Sequence, residues 1–290
     1  MRKHRLRPKK GLGQNFLTDP RTAEKIVAAA RIEPHETVVE IGPGLGALTF
    51  PLIRTGARII CLETDKSLAA ALRERLGRKL MDRVEIVVGD ALAFDLTSLP
   101  PGVVVVGNLP YQISSPTIFK LLAAGETVDR AVLTLQKEVA DRILSPPGPK
   151  IYGLISVLIQ LRTQIESIMT LPPGAFYPAP KVASRTIRLT FNQPLPEPIV
   201  DEALFEKIVR AAFGQRRKTL RQALLNAPLG LDKNQMEEVF NAAGIDPGLR
   251  AEKLSPAHYV ALANAWDRRL AALTGGAGRC SLHPRHRTEG

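Results

Sequence analysis

The chain has 290 residues, 44% of them hydrophobic, enough for one large α/β domain and a smaller companion. Lys and Arg number 40 against 28 Asp and Glu, and the resulting net charge of +12 favours a polyanionic partner. Two cysteines, Cys61 and Cys280, exclude a disulfide framework and fit a reducing cytoplasm, while no uncharged stretch reaches the roughly 20 residues of a spanning helix.

Basic residues come first: Arg2, Lys3, Arg5, Arg7, Lys9 and Lys10 precede any acid, with no apolar core after them to make a secretory signal. Asp19 and Pro20 then read as an N-cap and first helical position, with Ile26 and Val27 on the apolar side. From there the pattern is strand, turn, helix. Strands are predicted at 37–41, 58–63, 84–88, 103–106 and 130–135, and helices at 45–54, 66–76, 115–122 and 151–161. Such β-α units argue for a doubly wound sheet with a parallel core. The rhythm changes at 164–170 and 184–191, two strands separated by a Pro-rich segment too short for a helical crossover, so they are expected to pair antiparallel at the sheet edge.

A Pro-rich linker over 193–200 ends the first domain, predicted over 19–192. Helical spacing at 203–213, 219–225, 235–243 and 257–270 predicts a small all-helical domain over 201–273. The Gly-, Arg- and His-rich tail over 274–290 is expected to be disordered. Five histidines, His4, His35, His258, His283 and His286, lack metal-ligand spacing, so no metal site is expected.

Candidate site residues collect at strand ends, where open α/β sheets bind ligands. Gly42, Gly44 and Gly46 follow the first strand and open a helix, so a ligand can approach the backbone there; the spacing is not the G-x-G-x-x-G of dinucleotide folds. Glu63 closes the second strand and is placed to accept ribose hydroxyls, with Asp65 two residues on as the other acid. Asp90 follows the third strand and suits either an adenine amine or a local N-cap. Asn108-Leu109-Pro110-Tyr111 ends the β-branched run Val103–Val106. There an Asn oxygen and a carbonyl beside proline can together accept both hydrogens of one NH2 group, and the Tyr111 ring can lie against a flat base. Phe176, in a Pro-rich loop, is the candidate opposite face of that base.

Five segments carry a resemblance: Gly13–Leu17, Glu40–Thr49, Asn108–Tyr111, Phe176–Val182 and Phe213–Leu220 stand in the order found in ribosomal-RNA adenine N6,N6-dimethyltransferases. The likeness spans about Gly11 to Trp266 and is greatest to the small-subunit branch. It implies a Rossmann-like class I methyltransferase domain with a mostly parallel seven-stranded sheet, and S-adenosylmethionine as the cofactor. It further implies dimethylation of two adjacent adenosines in the 3′-terminal hairpin of 16S rRNA, with a role in small-subunit assembly. By the family pattern residues 1–18 form a basic arm in which Asn15 and Leu17 close over the methionine end. Gly42 and Gly44 line the cofactor, Glu63 holds the ribose, Asp90 the adenine, and Asn108 faces both cofactor and target. Arg216, Arg217, Lys218 and Arg221 are the expected RNA contacts, the partner is the small subunit or its precursor, and the protein is expected to be a cytoplasmic monomer. Leu154 departs from the pattern, since relatives carry Arg after the Tyr-Gly pair matched by Tyr152-Gly153. The erythromycin-resistance methyltransferases of 23S rRNA share the catalytic motifs, and an assembly factor acting mainly by binding is the reading from another class. A nicotinamide-dependent oxidoreductase is disfavoured by the glycine spacing. A DNA adenine methyltransferase would more often show an acid-first tetrad and lacks the Phe213–Leu220 segment.

Overall fold

The computed structural model describes residues 8, 9, 11, 13–195 and 197–275. Lys10, the basic residues from Arg2 to Arg7, Cys280 and the tail beyond 275 lie outside the described residues. The chain divides into two compact units, on either side of Leu195 and Pro196.

In the first unit the elements run β1 (Phe16–Leu17), α1 (Pro20–Ala29), β2 (Thr37–Ile41), α2 (Thr49–Ile53), β3 (Arg58–Glu63), α3 (Lys66–Met81), β4 (Val84–Val88) and β5 (Val103–Asn108). There follow α4 (Ser114–Ala123), β6 (Val128–Gln136), α5 (Lys137–Leu144), α6 (Leu154–Arg162), β7 (Gln164–Leu171), β8 (Phe176–Tyr177) and β9 (Ser184–Thr190). Seven strands form one sheet in the order β4-β3-β2-β5-β6-β9-β7. The first five are mutually parallel, and β9 is antiparallel to both β6 and β7, as the short connection requires. Strand residues alternate between two apolar layers: Val39, Ile41, Val103 and Val105 join one, and Val38, Ile59, Val104 and Val106 the other. Coverage on both faces is what the unbroken β-branched runs demand. The order reverses at β2 and β5, whose ends are level through Ile41 and Gly107, and a crevice is expected there.

Helix α1 is held at both ends. Asp19 accepts from the Arg21 and Thr22 N–H groups at 3.2 and 3.0 Å. Its C-terminal carbonyls, which no helical N–H can reach, accept from two arginines of the sheet: Arg188 donates to Ala29 at 2.9 Å, and Arg130 to Ala30 at 2.6 Å and to Arg31 at 2.7 Å. Arg130 also pairs with Glu36 at 2.6 Å and Asp129 at 2.8 Å, and Arg188 with Glu166.

Several boundaries differ from the sequence reading. The helix predicted over 45–54 is only α2, because Gly44 and Gly46 hold positive φ and residues 44–48 run as a turn. Helix α3 continues to Met81 past a break at Gly77, and α6 starts at Leu154, not Ile151. Helix α5 was not anticipated, nor was the small antiparallel pair of β1 with β8.

The second unit contains α7 (Glu202–Gly214), α8 (Leu220–Leu225), α9 (Lys233–Ala243) and α10 (Pro256–Leu273). Asp201 caps α7, and capping boxes open α9 (Asp232, Gln235) and α10 (Ser255, His258). Its core is aromatic: Phe205, Phe240, Tyr259 and Trp266 are all buried. The two polar tips are satisfied, with Trp266 Nε1 donating to the Leu229 carbonyl at 3.0 Å and Tyr259 Oη to that of Ala251 at 2.9 Å.

Candidate active site

A cavity of about 290 Å³ lies at the carboxyl ends of the parallel strands. It gathers Asn15, Gly42, Gly44, Glu63, Asp90, Asn108, Leu109, Pro110, Tyr111 and Phe176, residues drawn from six separate stretches of sequence. Leu17 is set apart: it is buried in the core beside Phe176, its register partner in β8, and borders a neighbouring groove instead.

The glycine turn is shaped by backbone demands. Gly42 has φ +69°, and a Cβ there would meet no protein atom within 4 Å, so the room beside the loop is left to a ligand. Gly44 has φ +56° and a different constraint, since a Cβ would come 2.9 Å from the Phe16 ring. Beneath the turn Glu40 is buried, accepting from Thr49 Oγ1 at 2.6 Å and from Cys61 Sγ at 3.4 Å. Burial pushes its pKa to about 7. Burial also raises the Cys61 thiol, so it packs as an inert apolar group.

Two acids at the end of β3 do different work. Glu63 accepts the Gly44 N–H at 3.0 Å and the Asp65 N–H at 2.9 Å, and burial raises its pKa against the pull of those bonds. Asp65 faces away to other partners: it caps α3 through the Ser67 N–H at 2.9 Å, pairs with Lys9 at 2.9 Å and accepts from Gln14 Nε2 at 3.4 Å. Burial works to raise the Asp65 pKa, but the hydrogen bonds from Lys9, Ser67 and Gln14 and the Lys9 charge outweigh it and hold the carboxyl below its usual range. Asp90 is exposed, lines the cavity and accepts the Leu92 N–H at 2.9 Å; the segment after it is a turn, so the bond closes that turn and caps no helix.

Strand β5 delivers Asn108 with a fixed amide. Nδ2 donates to the Asn15 carbonyl at 2.8 Å, which assigns the nitrogen and leaves Oδ1 as an acceptor. The Leu109 N–H is used by the Thr134 carbonyl at 3.1 Å. The Pro110 carbonyl already accepts from the Ile113 N–H at 3.1 Å and Ser114 Oγ at 3.4 Å. Tyr111 is oriented by a 3.0 Å hydrogen bond between its hydroxyl and Ser184 Oγ on β9. Phe176, 4% exposed, belongs as much to the core as to the cavity wall.

The described residues among 9–17 border the cavity as a strap. Gly11, Gly13, Gln14, Asn15 and Phe16 line it, Lys9 and Gln14 fasten one end to Asp65, and β1 fastens the other to β8. Sequence reasoning placed Lys9 only in a basic arm. An ion pair across 56 positions leaves no periodic signal.

In the helical unit Arg216, Arg217 and Lys218 are exposed between α7 and α8, the Arg216 guanidinium 5.8 Å from the Phe213 ring centroid. Arg221 is committed within the unit, with Nε 2.5 Å from Glu237 Oε1 and Nη2 3.0 Å from Oε2, which ties α8 to α9. Leu154 is the half-buried first residue of α6. Among the described residues no cluster of His, Cys, Asp and Glu could hold a metal ion, and no helix is long and apolar enough to cross a membrane.

Residues 5–268 match the family described as ribosomal RNA adenine dimethylase. The chain is 46% identical to the ribosomal RNA small subunit methyltransferase A of Aromatoleum aromaticum over 268 residues, covering 91% of this chain and 95% of that protein. It is also 46% identical to the protein of the same name from Syntrophotalea carbinolica, covering 89% and 96%. Among solved structures it is similar to a dimethyladenosine transferase from Plasmodium falciparum, with TM-score 0.77, 25% identity and coverage of 88% and 98%. It is also similar to the 23S rRNA methyltransferase ErmE, with TM-score 0.66, 27% identity and coverage of 87% and 100%. With nearly its whole length matched and almost half its positions shared with such relatives, the chain belongs to the ribosomal RNA adenine dimethylase family.

Proposed function

We infer that the chain transfers methyl groups from S-adenosylmethionine to N6 of two adjacent adenosines in the 3′-terminal hairpin of 16S rRNA, within the small subunit or its precursor, and so takes part in small-subunit assembly. It acts as a cytoplasmic monomer in this reading. The carrying observation is the fixed Asn108 amide at the wall of a cavity that also holds Glu63 and the open glycine turn. The two small-subunit relatives at 46% identity favour 16S rRNA over the 23S specificity of ErmE, at 27%.

The cavity suits the cofactor. Gly42 leaves open space, Glu63 offers carboxylate lone pairs for ribose hydroxyls, Asp90 an acceptor for the adenine amine, and Asn15 and Gly44 enclose the methionine end. Leu17 contributes from beneath, by packing that sets β1. S-adenosylmethionine, when bound, supplies a methyl group already activated by a sulfonium.

The chain's own task is then alignment and the nucleophile. The N6 lone pair of adenine is delocalised into the ring, which makes the amine a poor nucleophile. Asn108 Oδ1 and one main-chain carbonyl, each accepting an N6–H, favour a tetrahedral nitrogen and hence the transition state over the ground state. With the Pro110 carbonyl already taken twice, Leu109 is the better second acceptor, and Pro110 fixes the backbone that presents it. Tyr111 and Phe176 flank the base, which must leave its stack to enter. The amine loses its proton after alkylation, so no general base is assigned. Residues 201–273 carry RNA contacts through Arg216, Arg217 and Lys218, while Arg221 supports them by joining α8 to α9.

Incubation with labelled S-adenosylmethionine and small subunits lacking the modification, followed by nucleoside mass analysis, tests the reading. Dimethyladenosine at two neighbouring 16S positions is the expected product. Label confined to large-subunit RNA, or to no adenosine, overturns it.

A further inference from the structure

Strand β8 sends its two side chains into different spaces, as alternation along a strand requires. Phe176 lines the 290 Å³ cavity, whereas Tyr177 lines an adjoining groove of about 1060 Å³ beside α1, α2 and the glycine turn. Phe16, Gly42 and Asn108 border both, so the groove meets the cavity at residues assigned to the site. Tyr177 is 57% exposed, yet its backbone is fixed opposite Phe16 in the β1–β8 pair. The acids of the groove are engaged: Asp19 caps α1, and Glu24 pairs with Arg54 at 2.8 Å. On its far wall the Arg75 guanidinium lies 5.0 Å from the Phe50 ring centroid. The groove is therefore an apolar and aromatic slot with a cation at its wall, joined to the site at Asn108.

We propose that this groove seats the nucleotide next to the adenosine being methylated, with Tyr177 as its stacking platform. The proposal rests on the reading of the chain as an adenosine methyltransferase. A base drawn out of its stack leaves its neighbour with an uncovered face, and an aromatic side chain offsets that loss without regard to sequence. Phe176 and Tyr177, on opposite sides of one short strand, give consecutive bases separate seats. Stacking is indifferent to sequence, so the same two seats serve both registers: whichever adenosine enters the cavity, the nucleotide on one fixed side of it along the strand occupies the groove.

Tyr177→Ala and Tyr177→Phe, made in the full chain and assayed on small subunits lacking the modification, test this. One lost base–aromatic stack corresponds to about a 5- to 150-fold effect. Tyr177→Ala is expected to raise KM for subunits by at least the lower end of that range while leaving the Kd for S-adenosylmethionine within twofold, and Tyr177→Phe to restore KM. An unchanged KM overturns the proposal. So does an equal loss of cofactor affinity, which would put Tyr177 in the cofactor site. A lowered KM also overturns it, since a lost stacking platform weakens subunit binding. A parent protein that labels no adenosine refutes the underlying reading and the groove with it, whereas a parent that labels adenosine beside an unaffected Tyr177→Ala refutes the groove alone.

Discussion

Asn108 carries two duties that substitutions separate. Oδ1 is the acceptor offered to the target amine, and Nδ2 tethers the strap through the Asn15 carbonyl at 2.8 Å. Asn108→Ala removes both. Loss of one preorganised group that acts in the transition state costs about 10²- to 10³-fold in kcat. Loss of the tether, one ordinary hydrogen bond of about 1 kcal/mol, weakens cofactor binding by roughly fivefold. Asn108→Asp is the sharper variant: it keeps an acceptor for the amine but sets a carboxylate oxygen against the Asn15 carbonyl, so two acceptors face each other. Cofactor affinity is therefore expected to fall further in Asn108→Asp than in Asn108→Ala. Single-turnover methylation of unmodified subunits gives the chemical step, and calorimetry with S-adenosylhomocysteine gives the binding step. An Asn108→Ala protein with kcat within threefold of the parent, or an Asp variant that binds as well as the parent, refutes the assignment.

Glu40→Gln is expected to stabilise the protein at pH 8 and to leave it nearly unchanged at pH 4. Because the folded chain raises the Glu40 pKa from 4.5 to about 7, its stabilising contribution is full below the lower value and lost as pH rises through the upper one. The difference amounts to about 3 kcal/mol, read by urea denaturation of both proteins across that range. An equal gap at both pH values contradicts the burial argument. At Glu63, affinity for the cofactor should fall as pH drops through a pKa that burial has raised above 4.5, because the carboxylate is the form that accepts two hydroxyls. Glu63→Gln should abolish that pH dependence and weaken binding by about 10- to 100-fold, the worth of a hydrogen bond to a charged acceptor; a Gln variant that keeps the dependence assigns it to another group.

What the sequence disclosed and what it concealed divide along physical lines. The parallel strands were legible because buried β-branched runs such as Val103–Val106 have few other uses, and the tetrad at Asn108 because it ends one of them. The helix predicted over 45–54 was overdrawn because Leu45, Leu48 and Leu52 have helical spacing, while two glycines at positive φ keep the first half in a turn. Helix α5 escaped notice because it follows β6 without any turn residue to mark a boundary. The polar holds were invisible altogether. Arg130 and Arg188 reach α1 carbonyls 100 and 159 positions away, and the Lys9 pair with Asp65 spans 56, separations at which neither propensity nor period carries information. For the same reason spacing alone could not choose between Glu63 and Asp65.

The charge pattern of the cavity narrows the ligand further than the glycine spacing did. Glu40 is sealed beneath the loop, and Asp65 is neutralised by Lys9 outside the cavity wall. Glu63 and Asp90 are the acids left in the lining, where no lysine or arginine stands among the described residues. A dinucleotide would bring the two negative charges of its pyrophosphate into a lining with two carboxylates and no cation, and the long helix that offsets such charge at its N-terminus in dinucleotide folds is replaced here by a turn over residues 44–48. A nucleoside bearing a sulfonium and an ammonium meets the opposite situation: its hydroxyls and amine have acceptors, and its positive charge has two nearby carboxylates. The turn that holds Gly42, Gly44 and Gly46 at alternate positions thus agrees with the electrostatics around it, and together they argue for the methyl donor against a nicotinamide cofactor.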